Sequence, residues 1–209
     1  MSATGWKGLS LDTLAKAGVE LDRGTVRVPY RDRDGREFYC KRFGRDGRSW
    51  YEPAGISVVP FGLETLPPAG DRHPRYCALL LCEGESDALA VRDVLSRFRD
   101  DVLALALPGA GSWRDEWRWY VDPFPLVYVL GDGDEPGRRM NRRVSAALPW
   151  ASAVELPDGT DVRSLLQTDA GSLWPLLTRA DDDARLAAAL ALSPDLHTTR
   201  RLLAEKGLP

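Results

Sequence analysis

Two short acidic segments hold the residues best suited to chemistry. The first is Leu81-Cys82-Glu83-Gly84-Glu85-Ser86-Asp87, at the end of an apolar run; the second, about 50 residues on, is Gly131-Asp132-Gly133-Asp134-Glu135-Pro136-Gly137, at the end of another. In each, an acid stands at a strand end beside a glycine that leaves room for a metal or a phosphate. Asp132 and Asp134 alternate, so an extended backbone aims both carboxylates the same way. Clustered carboxylates repel: at 4 Å and an effective dielectric near 20, one pair costs roughly 4 kcal/mol. A divalent cation removes that repulsion, and hard oxygen ligands without a histidine or cysteine cluster suit Mg²⁺ or Mn²⁺. A third segment, Leu156-Pro157-Asp158-Gly159-Thr160-Asp161, brings Asp161 to the same edge, with Asp158 as a turn residue. Asp87 also reads as a helix-start anion, and the Asp/Gly segment as a polar turn. An EF-hand is excluded, because the 12-residue ligand spacing and closing glutamate are missing.

These acids need elements to carry them. Apolar runs at Tyr76–Cys82, Val102–Leu107, Leu126–Leu130 and Ala151–Leu156 read as strands. Helical periodicity falls between them, at Ser86–Arg99, Glu135–Leu148 and from Val162, with a short helix at Asp115–Tyr120. Strands alternating with helices predict a mainly parallel sheet flanked by helices, with ligands at the carboxyl ends of its strands. Further helices are expected at Ala180–Leu192, started by Asp181-Asp182-Asp183, and at Thr198–Lys206.

The first third of the chain differs. Ser10 to Gly18 reads as a short capped helix. Residues 25–54 then alternate through Val26, Val28, Tyr30, Phe38, Cys40 and Trp50, with Asp34-Gly35 and Asp46-Gly47 as hairpin turns. Residues 1–50 carry 11 Lys+Arg against 7 Asp+Glu, although the whole chain has a net charge of −3. A basic lobe thus precedes an acidic body. The expected divisions are a basic β-rich subdomain at 1–61, a Pro/Gly linker at 62–75, an α/β domain at 76–170 and a helical segment at 171–209.

Composition narrows the function. No apolar run is long enough to span a membrane, and no signal peptide is visible at residues 1–15. Three cysteines without CxxC spacing and two histidines indicate neither a disulfide framework nor a zinc site, which fits a reducing cytoplasm.

Together the acidic segments, their order and their spacing resemble the TOPRIM family, shared by bacterial-type DNA primases, phage primase–helicases, topoisomerases and some nucleases. The resemblance covers about residues 76–168. It implies Glu83, Asp132 and Asp134 as catalytic, metal-linked acids, with Asp87 and Asp161 as further ligands. It places Gly109, Gly111 and Ser112 in a small-residue loop near the nucleotide. The segment from Val26 to Arg42 resembles the basic lobe ahead of the TOPRIM domain in phage primases. Lys41 and Arg42 would there face template and nucleotide, Tyr39, Phe43, Trp50 and Tyr51 could stack bases, and Arg138 would reach phosphates. The implied activity is DNA primase, joining ribonucleoside triphosphates on a single-stranded DNA template. A TOPRIM nuclease or a non-catalytic nucleic-acid-binding module are the alternatives. A topoisomerase is disfavoured, because all six tyrosines lie between residues 30 and 128 and leave none for a strand-gating domain. No Walker A loop and no zinc cluster is present, so a replicative helicase or a separate zinc-containing template reader is the expected partner. Arg163 stands where many primases have another acid.

Overall fold

The computed structural model describes residues 5–67, 78–98 and 101–191. Its first lobe opens with α1 (Leu11–Lys16), capped by Ser10, whose hydroxyl accepts the Thr13 N–H. Four antiparallel strands follow in sequential order: β1 (Glu20–Asp22), β2 (Thr25–Arg31), β3 (Glu37–Phe43) and β4 (Ser49–Glu52). Both expected turns form, with Gly35 and Gly47 at positive φ and Asp32 and Asp46 accepting backbone N–H groups across them. Strand β1 is an addition to the expected pattern. Its turn is Arg23-Gly24, both at positive φ, as a two-residue hairpin loop of right-handed twist requires.

The second lobe is a parallel four-stranded sheet in the order β6-β5-β7-β8, built from β5 (Ala78–Cys82), β6 (Val102–Ala106), β7 (Leu126–Leu130) and β8 (Ala151–Ala153). Its helices are α2 (Glu85–Phe98), α3 (Arg118–Val121), α4 (Glu135–Ala147), α5 (Val162–Thr168) and α6 (Leu173–Ala191). Alternation along β5 explains its unbroken apolar sequence. Leu80 and Cys82 enter a core shared with α2, α5, α6 and the first lobe, whereas Leu79 and Leu81 enter one built with α4, Trp113 and Trp117. The sheet therefore has helices on both faces, as its sequence pattern requires.

Two expectations need correction. Residues 62–67 do not span freely, because Leu63 and Leu66 are buried against the α4 side of the sheet; residues 68–77 lie outside the described residues. Helix α6 begins at Leu173 and not near Ala180, because Leu173, Leu177 and Ala180 form one buried stripe. Asp181 consequently sits within the helix, where Tyr128 donates its hydroxyl to the carboxylate at 2.7 Å. The expected helix at Thr198–Lys206 lies outside the described residues.

Arg92 on α2 clamps the crossing between the lobes. Phe61 makes an antiparallel bridge to Ala106 at the open edge of β6. The Arg92 guanidinium lies over the Phe61 ring, donates to the carbonyls of Ala104 and Gly62, and pairs with Glu64 at 3.2 Å. Gly62, at φ 98°, has no room for a side chain beside that guanidinium. Arg92→Ala should cost roughly 3 kcal/mol in urea unfolding, because Glu64 and two carbonyls lose their donor. Arg92→Lys should recover only part of it, since an ammonium cannot reproduce the fork. An unchanged unfolding midpoint for Arg92→Ala would show that the clamp adds nothing to stability.

Candidate active site

Parallel pairing brings the strand ends level. Cys82 stands opposite Ala106 on one side and Leu130 on the other. The residues that follow, Glu83, the loop from Leu107 and the Gly131–Asp134 segment, therefore emerge at one edge. Gly131, Gly133 and Gly137 let backbones meet there. A Cβ on Gly131 would strike the Gly137 carbonyl, one on Gly137 would strike Asp132, and one on Gly133 would strike the Pro157 carbonyl. The Gly133 N–H donates to Thr160 at 2.8 Å and its carbonyl accepts from Gly159, which ties the second acidic segment to the third. Asn141, buried on α4, accepts the Gly131 N–H and donates to the Val154 carbonyl, holding the ends of β7 and β8 together.

Each acid but one is anchored by a backbone amide. Glu83 Oε2 accepts the Asp132 N–H at 3.1 Å, and Asp87 Oδ1 accepts the Arg163 N–H at 3.1 Å. Asp134 caps α4 through the Gly137 N–H, and Asp161 caps α5 through the Ser164 N–H. Asp161 also takes a hydrogen bond from the Arg163 side chain. Asp132 is the exception: its Oδ1 is buried without a hydrogen-bond partner among the described residues.

The charges respond accordingly. Burial first, and then Glu83, Asp87, Asp161 and Asp134, push the Asp132 carboxyl up to about 7. Burial pushes Asp87 up to about 6 against the Arg163 N–H. Burial also raises Glu83, opposed by the Asp132 N–H and reinforced by Asp134. For Asp161 burial acts upward, but bonds from Ser164 and Arg163 outweigh it and the carboxyl falls below its usual range. Asp132 therefore feels all four neighbours. Among the described residues, however, no group of three or more acidic, cysteine or histidine side chains forms a complete ion-holding set.

The other expected residues are placed less uniformly. The loop after β6 carries Gly109 at φ 126°, with Ser112 donating from both backbone and side chain to the Gly109 carbonyl and Gly111 accepting from Arg143. Arg138 pairs with Asp158 at 2.9 Å and with Glu135. Lys41 does not lie on an open basic surface. It pairs with Glu85 at 2.8 Å, their side chains only 12% and 5% exposed. Tyr30 donates its hydroxyl to the same carboxylate. Arg42 pairs with Glu52 at the outer strand. Tyr39 and Tyr51 pack on Tyr30 in the core and Phe43 on Trp6, which leaves Trp50 exposed. The roles of Glu85, Tyr30 and Asn141 do not emerge from the sequence. Only Asn141 leaves a signal there, as a polar residue between Met140 and Val144 on the buried side of a helix.

The raised carboxyls give the metal-free protein a defined pH response. Between about pH 4 and pH 7 the folded chain holds protons on Asp87 and Asp132 that the unfolded chain releases, so stability falls as pH rises through that window. Thermal melts without metal should show a lower Tm at pH 7.5 than at pH 5.5, with a smaller difference in Asp132→Asn. An identical pH dependence in that variant would show that Asp132 does not carry the response.

No family model matches the chain. The Gene 57 protein of Mycobacterium phage D29 is 32% identical over 88 residues, which are 42% of this chain and 54% of that protein, so the chain spans about half the length of this curated relative. Among solved structures, the primase fragment of the bacteriophage T7 primase-helicase protein superposes with a TM-score of 0.67 at 22% identity, over 84% of this chain and 74% of that one. A DNA primase domain from Pseudomonas aeruginosa gives 0.58 at 18% identity, over 95% and 77%. The RNA polymerase domain of the Mycobacterium tuberculosis primase DnaG gives 0.56 at 18% identity, over 96% and 73%. With its antiparallel lobe set before a parallel, helix-flanked sheet, the chain has the fold of phage and bacterial DNA primase cores.

Proposed function

We propose that the chain is a DNA primase core of the TOPRIM type, a metal-dependent nucleotidyltransferase that joins ribonucleotides on a single-stranded DNA template. The observation that carries this reading is Asp132: a buried carboxylate oxygen without a partner among the described residues, ringed by four acids at the carboxyl edge of a parallel sheet. An uncompensated carboxylate in that setting is costly unless a cation meets it.

The donor set fits Mg²⁺ or Mn²⁺. All five acids offer hard oxygens, and Mg²⁺ is held through one or two carboxylates together with substrate phosphates, so a complete protein cage is not required. Glu83 and Asp132 would hold the ion, with Asp134, Asp87 and Asp161 contributing charge around it. A cation held there would lower the pKa of the attacking 3′-hydroxyl and would offset charge on the α-phosphate and the leaving pyrophosphate. Glu83 has one oxygen fixed by the Asp132 N–H, which leaves its other oxygen to hold the ion or to accept the proton of that hydroxyl. The loop of Gly109, Gly111 and Ser112 leaves its edge open to a nucleotide: nothing lies within 4 Å of a Cβ built on either glycine. Arg138, half-buried and paired with Asp158, supplies charge for phosphates, whereas Arg42 is held by Glu52. Lys41 has its role through Glu85 and not as a free template contact. Single-stranded DNA and ribonucleoside triphosphates are the expected partners, with a replicative helicase or a separate zinc-containing subunit to choose the template.

Incubation with single-stranded templates, labelled ribonucleotides and Mg²⁺ should yield short RNA products. Shortening of a labelled template without extension would replace polymerase by nuclease. Binding without either reaction would leave a non-catalytic module. In Glu83→Gln and in Asp132→Asn, product formation should fall by roughly 10²-fold or more. Their metal-free Tm should hold or rise, since one source of repulsion is gone. A lowered Tm with normal activity per folded molecule would make Glu83 a structural residue.

A further inference from the structure

The outer side of α4 carries charge that the proposed reaction does not use. Arg139, Arg142 and Arg143 are exposed there, the first two with 60% and 63% of their side chains open to solvent. Among the described residues, only Glu135 faces Arg139 and Arg142. Arg143 donates to the Gly111 carbonyl, which leaves its charge unneutralised. The three guanidiniums line a groove of about 560 Å³ whose other walls are Ala110, Gly111 and Pro136. Pro136 lies two residues from Asp134, so the groove begins at the acidic edge. Arg143 also lines a second groove of about 480 Å³, with Trp113, Asp115 and Arg118, the last paired with Asp122 at 3.1 Å. Trp119 follows Arg118 in the chain and is 75% exposed, and the Arg118 guanidinium covers the Trp150 ring at 4.8 Å.

We infer that these two grooves form one track for a single nucleic-acid strand, running from the acidic edge along α4 to Trp119. The inference rests on the nucleic-acid reading of the same edge. Its chemistry is that of single-strand binding: a cationic groove follows the phosphates, and an exposed aromatic ring offers a face on which a base can stack. The arginines are open to solvent and not enclosed, so they suit a backbone passing over the surface better than a buried ligand. Arg139 lies three and four residues before Arg142 and Arg143, so all three reach one groove and present guanidinium forks to phosphates passing along it. In the first lobe, three basic side chains each meet a carboxylate of their own, whereas Arg139 and Arg142 share Glu135. Lys41 is held by Glu85, Arg42 by Glu52 and Arg27 by Glu37.

Fluorescence anisotropy with a labelled oligothymidine, in the absence of metal and nucleotide, tests the track separately from catalysis. Arg142→Gln/Arg143→Gln should bind several-fold more weakly, and the slope of log affinity against log salt should flatten by about 1.4, near 0.7 for each phosphate no longer neutralised. Trp119→Ala should weaken binding about fivefold or more at every salt concentration without altering the slope. The control Lys16→Gln/Arg97→Gln removes two exposed charges from α1 and α2, packed on the other face of the sheet, and should change neither quantity. The track is refuted if the parent does not bind the oligonucleotide. It is equally refuted if the arginine variant keeps the parental slope, if the control weakens as much as the variant, or if Trp119→Ala binds like the parent. Absence of primer synthesis with these binding results intact would overturn the catalytic reading and leave the track standing.

Discussion

Backbone N–H groups hold like charges in place at the carboxyl edge of the parallel sheet. Glu83, Asp87, Asp134 and Asp161 each accept one, from a strand-end loop or from the first turn of a helix. Such bonds fix a carboxylate without cancelling its charge, so four acids can be set around a fifth. The close glycine approaches follow from the same constraint. Bringing the Asp132 N–H to Glu83 requires the loop to lie flat against α4 and the Pro157–Thr160 turn, and a side chain at 131, 133 or 137 would lift it away. The fold therefore concentrates unbalanced charge at Asp132, and burial amplifies it.

Much of this is visible in the residues. Continuous apolar runs ending in Glu83 and Gly131 locate two strands and the acids beyond them, because a strand buried on both faces can contain little else. Asp-Gly pairs locate the hairpins, because few residues accept positive φ. The anchoring bonds are not visible. That Arg163 serves Asp87 through its backbone N–H, across 76 residues, is a matter of tertiary placement. Nor does sequence distinguish an arginine or lysine in solvent from one in an ion pair. Lys41 reads as part of a basic surface until Glu85 is seen beside it. The start of α6 is obscured for a similar reason: the acidic triplet looks like a beginning, while the buried stripe from Leu173 determines where the helix starts.

Electrostatic character is thus divided differently from net charge. The first lobe is rich in basic residues, yet Arg27, Lys41 and Arg42 meet carboxylates. The second lobe is acidic overall, yet the exposed side of α4 is cationic. Counts over a segment record neither fact, because pairing and facing direction decide which charges a ligand meets.

The pair between Lys41 and Glu85 bears on mechanics. Glu85 stands two residues after Glu83, and Lys41 lies in the central part of the antiparallel sheet, so the bond crosses from one lobe to the strand end of the other. Tyr30 shares the carboxylate, and the surrounding side chains are largely shut off from water. Prising the lobes apart would strand an ammonium and a carboxylate without partners, a penalty of several kcal/mol. The contact therefore ties the antiparallel sheet to the strand end that carries Glu83, and loss of either partner would be felt at that edge as well as in the lobe it leaves.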